Sequence, residues 1–179
     1  WTFSADAPAS PSDIRDQATV WSDLEWLASK TKLPIVVKGI MTGEDGRASA
    51  ESGAQGIIVS NHGTRYLDTT FTTIEVLPEV VEQVGGNAEV YMDGGIRRGS
   101  DIFKALALGA RAVLMGRPLF WGLAVNGEDG VSAVIEMLRD ELAATMGICG
   151  RTTVESIDLD TLGGISPLQS LFDRRDGRR

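Results

Sequence analysis

The chain has 179 residues, of which 42% are hydrophobic and 23% are charged, a balance typical of one globular unit with its own core. The formal net charge of −8 argues against nonspecific nucleic-acid binding, because a phosphate polymer would be repelled. A single cysteine, Cys149, excludes a disulfide framework, so we expect a reducing, cytoplasmic location. We expect no metal site and no membrane segment, since no apolar run is long enough for a transmembrane helix.

The predicted elements alternate between strand and helix along most of the chain. Residues 1–21 are expected to be an irregular lead-in, residues 22–165 the folded unit, and residues 166–179 a tail. A short helix over 23–30, capped by Ser22, precedes the predicted strands at 35–38, 57–60, 90–93 and 112–115. The predicted helices that follow them cover 44–52, 74–84, 101–108 (capped by Ser100), 118–123 and 130–146. This alternation indicates an α/β fold with a parallel sheet and helical crossovers.

An internal repeat relates the two halves of this pattern. Gly39-Ile40 recurs as Gly95-Ile96, and Gly53 recurs as Gly109, each at an offset of 56 positions (95 − 39, 109 − 53). The offset spans two strand–helix units, as in a barrel with pseudo-symmetric pairs, although similar packing needs alone would give part of it. Gly53 and Gly109 also fit the position just after a helix C-cap.

Two further predictions concern the stability of the second helix and the composition of the core. Gly46 and Ser49 are expected to weaken the second helix, because a mid-helix glycine costs roughly 1 kcal/mol relative to alanine and the sequence shows no compensation. The four tryptophans and Met115 are predicted to belong to the core.

Reactive side chains stand at or just after the ends of the four predicted strands. They are Lys38, His62, Asp93, Arg97 and Arg117. Because the carboxyl ends of parallel strands share one edge of the sheet, we expect these groups to meet on one face.

A phosphate site is predicted after the last two strands, at Asp93-Gly94-Gly95-Ile96-Arg97 and Gly116-Arg117. Glycines let backbone N–H groups approach an anion closely, and arginine binds an anion through two donors. The alternative is that the glycines only form tight turns and the arginines form surface ion pairs.

The remaining candidates are Lys38, His62 and Arg65. Lys38 ends an apolar strand and is expected to meet an anionic or carbonyl partner, unless its side chain extends to solvent. His62 near Arg65 predicts a base beside a carboxylate anchor, the alternative being a hydrogen-bonded core histidine.

From about residue 21 to residue 161 the chain resembles the FMN-dependent 2-hydroxy-acid oxidases and dehydrogenases. That family includes glycolate oxidase, lactate oxidase, mandelate dehydrogenase and the lactate-oxidising flavocytochromes. The resemblance rests on the combination of S-N-H-G-T-R-Y-L-D, T-I-E-V-L-P-E-V-V, D-G-G-I-R-R-G and D-I-F-K-A-L-A-L-G-A-R-A-V-L-M-G-R-P.

The resemblance implies a role for each candidate. It makes His62 the active-site base, Arg65 the anchor of the substrate carboxylate, and Lys38 and Ser60 contacts of the flavin ring. It assigns the ribityl chain and phosphate of FMN to Asp93, Gly94, Gly95, Ile96, Arg97, Gly116 and Arg117. The implied reaction oxidises a small L-2-hydroxy acid to a 2-oxo acid, with the choice of proton, from the hydroxyl or the α-carbon, left open.

The resemblance also has departures and a limit. Thr64 and Tyr66 stand where the family usually has Gly or Ala and then Gln. The match covers the last four strand–helix units of a (β/α)8 TIM barrel, whereas a full barrel takes about 250 residues. The family's first-half flavin loop, substrate tyrosine, second substrate arginine and histidine-pairing aspartate have no counterpart in it.

A half barrel leaves open sheet edges and an uncovered interior, so we expect a homo-oligomer or association with an N-terminal half. Two alternatives to the enzyme remain: an inactive fragment that binds FMN or phosphate, and a structural fragment that binds no ligand.

Overall fold

The computed structural model describes residues 20–163, which form four parallel strands with helices on one side of the sheet. The strands are β1 (Val36–Ile40), β2 (Gly56–Val59), β3 (Glu89–Asp93) and β4 (Ala112–Leu114), paired in the order β1-β2-β3-β4. The helices are α1 (Trp21–Lys30), α2 (Gly43–Glu51), α3 (Thr73–Val84), α4 (Gly99–Ala107) and α5 (Arg117–Ile148). Short 3₁₀ turns lie at His62–Thr64, Val154–Ser156 and Leu159–Leu162. The predicted parallel α/β alternation is confirmed.

The two faces of the sheet differ in burial. Ile57 and Val59 of β2 and Val90 and Met92 of β3 are buried in one core with the apolar side chains of α3, such as Leu77. The alternating residues on the opposite face are half-buried or exposed: Val36, Lys38, Ile58, Tyr91, Asp93 and Leu114. The period-two alternation of a strand therefore gives a helix-covered face and an open face, as in half of a barrel.

Several predicted element ends differ from the structure. α1 begins at Trp21, inside the predicted lead-in, and its N-cap is Val20, whose N–H donates to the Asp23 carboxylate at 2.9 Å. The predicted cap Ser22 is therefore wrong, because a carboxylate three residues into the helix already satisfies the N-cap N–H. The other residues of the predicted lead-in, and the predicted tail, lie outside the described residues.

The cap of α4 also differs from the prediction. Ser100 lies within the first turn, and the N-cap is Arg98, whose N–H donates to Asp101 Oδ2 at 3.0 Å. The predicted helices at 118–123 and 130–146 belong to one assigned helix, α5, which is interrupted by non-helical backbone at Asn126 and Gly127.

The second helix has the compensation that its sequence does not show. A Cβ on Gly46 would lie 3.0 Å from Val80 Cγ1, so the missing side chain lets α2 pack closely on α3. Ser49 is fully buried, and its hydroxyl donates to the Asp45 carbonyl at 2.7 Å. Close packing on α3 and a buried, hydrogen-bonded hydroxyl therefore compensate for the low helix propensity of these two residues.

The 56-residue repeat is visible in backbone geometry. Gly53 and Gly109 follow the C-caps of α2 and α4 with φ of 102° and 101°. The repeat extends to Gly43 and Gly99, the first residues of these helices. The Gly43 N–H donates to Glu79 Oε1 at 2.8 Å, and the Gly99 N–H donates to Glu141 Oε2 at 2.7 Å. In each pair, a glutamate of the next helix caps the helix before it.

Candidate active site

A cleft of about 450 Å³ opens where the four strands end. Each strand end or the loop after it contributes to its walls. The lining residues include Lys38, His62, Gly63, Arg65, Asp93, Gly94, Gly95, Ile96, Arg97, Met115, Gly116, Arg117 and Phe120. The structure thus brings together ten of the eleven predicted site residues as lining, and Ser60 hydrogen-bonds to one of them, Lys38.

Lys38, Ser60 and Asp93 form a polar cluster on neighbouring strands. Lys38 Nζ lies 2.9 Å from Ser60 Oγ and 3.1 Å from Asp93 Oδ2. Asp93 Oδ1 is buried and has no hydrogen-bond partner among the described residues. A buried carboxylate oxygen without a hydrogen-bond donor is costly in free energy. Asp93 Oδ1 is therefore available to accept from a donor that the described residues do not supply, such as a bound molecule.

His62 and Arg65 lie on the tight turn after β2. His62 has a φ of 55° and Thr64 a φ of 61°, both in the left-handed region that side-chain-bearing residues rarely adopt. Such strained backbone concentrates at functional sites. Arg65 Nε donates to the His62 carbonyl at 3.3 Å, which leaves the terminal nitrogens of the guanidinium for other acceptors.

The loops after β3 and β4 leave open space for an anion. Gly94 and Gly95 have φ of 88° and 79°, and a Cβ on Gly95 or Gly116 would meet no atom within 4 Å. The Arg97 guanidinium lies over the Trp121 ring, 4.8 Å from its centroid. Arg117 is the first residue of α5, whose N-cap, Gly116, supplies no capping side chain.

The start of α4 is closed to an anion. Asp101 Oδ2 accepts from the N–H groups of Arg97 and Arg98 at 3.0 Å, and Glu141 accepts from Gly99. These carboxylates would repel a phosphate there. The anion end of the cleft therefore consists of the Gly94-Gly95 turn and the start of α5.

Five residues were missed or misread from the sequence. Trp21, Trp26 and Trp121 are 40%, 61% and 50% exposed, so the prediction of core tryptophans is wrong for them, and Trp1 lies outside the described residues. Tyr66 contacts the His62 ring, and Glu141 acts from 42 positions away. Of these, only Tyr66 had a sequence signal, since it departs from the family pattern beside the histidine.

The described residues contain no group of three or more His, Cys, Asp or Glu side chains placed to hold a metal ion. Within the same residues, no helix is long and apolar enough to cross a membrane.

Comparison with known proteins identifies the fold and the family. The family model described as FMN-dependent dehydrogenase matches residues 3–163. A solved structure of a mandelate oxidase variant with a monooxide FMN adduct superposes with a TM-score of 0.74 at 47% identity. It covers 78% of this chain and 44% of that chain. The expectation of a TIM-barrel half is confirmed.

Three curated relatives are identical to this chain at more than half of the aligned positions. A peroxisomal (S)-2-hydroxyacid oxidase of Arabidopsis thaliana is 54% identical over 83% of this chain and 41% of its own length. An L-lactate oxidase of Nostoc sp. is 53% identical, covering 81% and 40%. The human 2-hydroxyacid oxidase 1 is 52% identical, covering 80% and 39%. The chain therefore spans about two fifths of the length of these relatives.

The relatives overturn the expected location. Two Arabidopsis relatives are named as peroxisomal oxidases, which contradicts the cytoplasmic prediction. The cytoplasmic prediction failed because a single cysteine indicates only that a disulfide framework is absent, and this does not separate one disulfide-free compartment from another.

Proposed function

The chain belongs to the FMN-dependent dehydrogenase family, and we propose that it carries the FMN-holding and proton-accepting half of an enzyme that oxidises a small L-2-hydroxy acid. The observation that carries the proposal is the convergence of the predicted site residues on one cleft at the strand ends. The product is the 2-oxo acid, and bound FMN would supply the electron acceptor.

The residues present fit FMN. The buried, unpartnered Asp93 Oδ1 suits a ribityl hydroxyl, which is a hydrogen-bond donor. Arg97 and Arg117 supply positive charge for the phosphate beside glycines that leave room for it. Lys38, on β1, supplies a cation for the flavin ring.

The substrate side of the site consists of His62 and Arg65. The guanidinium of Arg65 binds the substrate carboxylate through its terminal nitrogens, because its Nε is already used by the His62 carbonyl. That anchor holds the 2-hydroxy carbon near His62, whose imidazole accepts a proton from the substrate. Placing both residues on one strained turn, three positions apart, fixes the distance between their backbones.

We further propose that the active unit is an association, either with a second barrel half or with another copy of this chain. Val36 and Leu114 are 46% and 39% exposed on the open face of the sheet. Apolar side chains of this kind fill the interior of a complete barrel.

A second candidate function is FMN binding without turnover. It is favoured by the unequal numbers of residues on the two sides of the site. Six predicted flavin contacts other than glycines come from four consecutive strand ends, whereas two residues serve the substrate. The same experiment separates the two candidates.

The test is co-expression of the chain with the part of the Arabidopsis relative that it does not cover. We expect a yellow assembly whose flavin absorbance is lost when glycolate, lactate or mandelate is added without oxygen. His62→Ala should keep the flavin and abolish its reduction, whereas the matched exposed variant Arg139→Ala should reduce normally. Bound flavin that no 2-hydroxy acid reduces would support the second candidate, and failure to retain flavin would contradict both.

A further inference from the structure

Tyr66 lies beside both substrate-side groups, although the family resemblance offers no role for a tyrosine there. Its ring centroid is 5.2 Å from that of His62, and the two rings are inclined at 68°, an edge-to-face arrangement. The Arg65 guanidinium lies 5.9 Å from the same ring centroid, within cation–π range. One aromatic ring thus contacts both the proposed base and the proposed carboxylate anchor.

The imidazole also lies against backbone. A Cβ on Gly39 would lie 3.0 Å from His62 Cε1, so the imidazole packs directly on the glycine. Gly39 has a φ of 109°, a conformation that disfavours any larger residue. His62 therefore contacts both the Gly39 backbone and the Tyr66 ring.

Resting on the proposed function, we propose that Tyr66 is a positioning residue that fixes the rotamer of His62 and supports the Arg65 guanidinium. The strained backbone of the turn places the His62 Cα, but it leaves the side-chain dihedrals free. The Tyr66 ring packs against the imidazole, and its face attracts the guanidinium. The base and the anchor then keep one mutual distance.

The aromatic ring, and not the hydroxyl, makes these contacts. A glutamine, which the family usually has at this position, has no π face and makes neither contact. Phenylalanine therefore preserves the positioning role, and leucine removes it. Tyr66 is 53% exposed, so neither change opens a cavity in the core.

The first experiment uses the chain itself with ¹³C-labelled histidine, because His62 is its only histidine and gives one set of imidazole signals. In Tyr66→Leu we expect the imidazole protons to shift through loss of the ring current, and their cross-relaxation with the Gly39 α-protons to weaken. Tyr66→Phe should retain both signatures. Leu67→Ala, an exposed neighbour on the same loop, is the matched control.

The second experiment measures kcat and KM for the 2-hydroxy acid in the completed assembly. Tyr66→Leu should lower kcat and raise KM, each about tenfold or more, with unchanged FMN affinity. Tyr66→Phe should restore both constants. A wild-type assembly that reduces no flavin would contradict the proposed function, while the histidine signals would still decide the role of Tyr66. Imidazole signals that stay unmoved in Tyr66→Leu, or that move equally in Tyr66→Phe, would overturn the positioning role.

Discussion

Lys38 is placed where one cation serves two partners on neighbouring strands. Its Nζ contacts Ser60 Oγ and Asp93 Oδ2, and the two charged side chains are 37% and 20% exposed. The sequence predicted the need for an anionic partner, because a lysine ending an apolar strand is costly to bury alone. It did not identify Asp93 as that partner, since the two residues are 55 positions apart (93 − 38) and lie on β1 and β3, which only the strand order of the sheet brings close.

Replacing Lys38 alone should lower the free energy of unfolding more than replacing both Lys38 and Asp93. In Lys38→Met we expect a loss of about 1–3 kcal/mol in the free energy of unfolding, because both oxygens of Asp93 then lack a donor. The double variant Lys38→Met/Asp93→Asn should recover part of the loss, as urea unfolding of the four members of the cycle will measure. Equal losses in the single and double variants would contradict a stabilising ion pair between Lys38 and Asp93.

The two arginines at the anion end should each contribute to FMN affinity. Loss of one charged hydrogen bond costs roughly 1.5–3 kcal/mol, so Arg97→Ala and Arg117→Ala should each weaken FMN binding about tenfold or more. Quenching of flavin fluorescence in the completed assembly measures this. Arg139→Ala removes an exposed arginine of α5 that pairs with Glu136 and should leave affinity unchanged. Unchanged affinity in both test variants would reject the phosphate assignment.

At the scale of the elements, local sequence determined which segments become helices and how two of them begin. The 3.6-residue pattern located α2 to α5 within a few residues. The caps of α1 and α4 were mispredicted because Asp23 and Asp101, in the first turns, accept from the N-cap N–H groups. Glu141 adds a partner for Gly99 from 42 positions away, which no local pattern indicates. Packing also reversed the expected effect of Gly46, since helix propensity contains no information about the close approach of Val80.

Two glycine-to-alanine changes should have opposite effects on stability. Gly46→Ala gains helix propensity, but the new methyl meets Val80 Cγ1 at 3.0 Å, and overpacking typically costs about 1–3 kcal/mol. We therefore expect net destabilisation. Gly147 lies in α5 with no atom within 4 Å of an added Cβ, so Gly147→Ala should stabilise by up to about 1 kcal/mol. Thermal unfolding of both variants checks the difference, and stabilisation in both would refute the packing argument.

Glu141, which lies in α5 and caps α4, should contribute more to the free energy of unfolding than an exposed glutamate of α5. Glu141→Ala leaves the Gly99 N–H without its acceptor, and we expect a loss of about 1–3 kcal/mol in unfolding free energy. Glu136→Ala, which removes an exposed ion pair with Arg139, should cost less than about 1 kcal/mol. Equal losses in the two variants would argue against the cap.

At the scale of the whole molecule, the open face of the sheet is the dominant feature. Val36 and Leu114 are exposed on it, and the Tyr91 hydroxyl donates to Glu89, a hydrogen bond that raises the pKa of Tyr91. The strand–helix alternation and the resemblance predicted this half-barrel architecture. They did not predict which side chains line the open face. A parallel strand that is buried on both faces reads as a continuous apolar run, and such a run does not show which residues point to which face.

Residues 1–179 alone should associate and should not turn over substrate. The open face and the outer edges of β1 and β4 favour self-association, which sedimentation at several concentrations will detect. We expect weak or no FMN binding and no measurable oxidation of glycolate, lactate or mandelate, because orientation losses at an incomplete site remove orders of magnitude in rate. A monomer that oxidises any of these acids at an ordinary enzymatic rate would contradict this prediction.

The interruption of α5 has a consequence for mutational tolerance. A Cβ on Gly122 would collide with the Gly130 backbone, and the reverse holds for Gly130, so the two segments of α5 touch through main-chain atoms. In a saturation library selected for folding, we expect both positions to accept glycine alone. Val125, between them and 85% exposed, should accept most residues. The first segment carries Arg117, so this pair of glycines also sets where that arginine lies relative to the second segment.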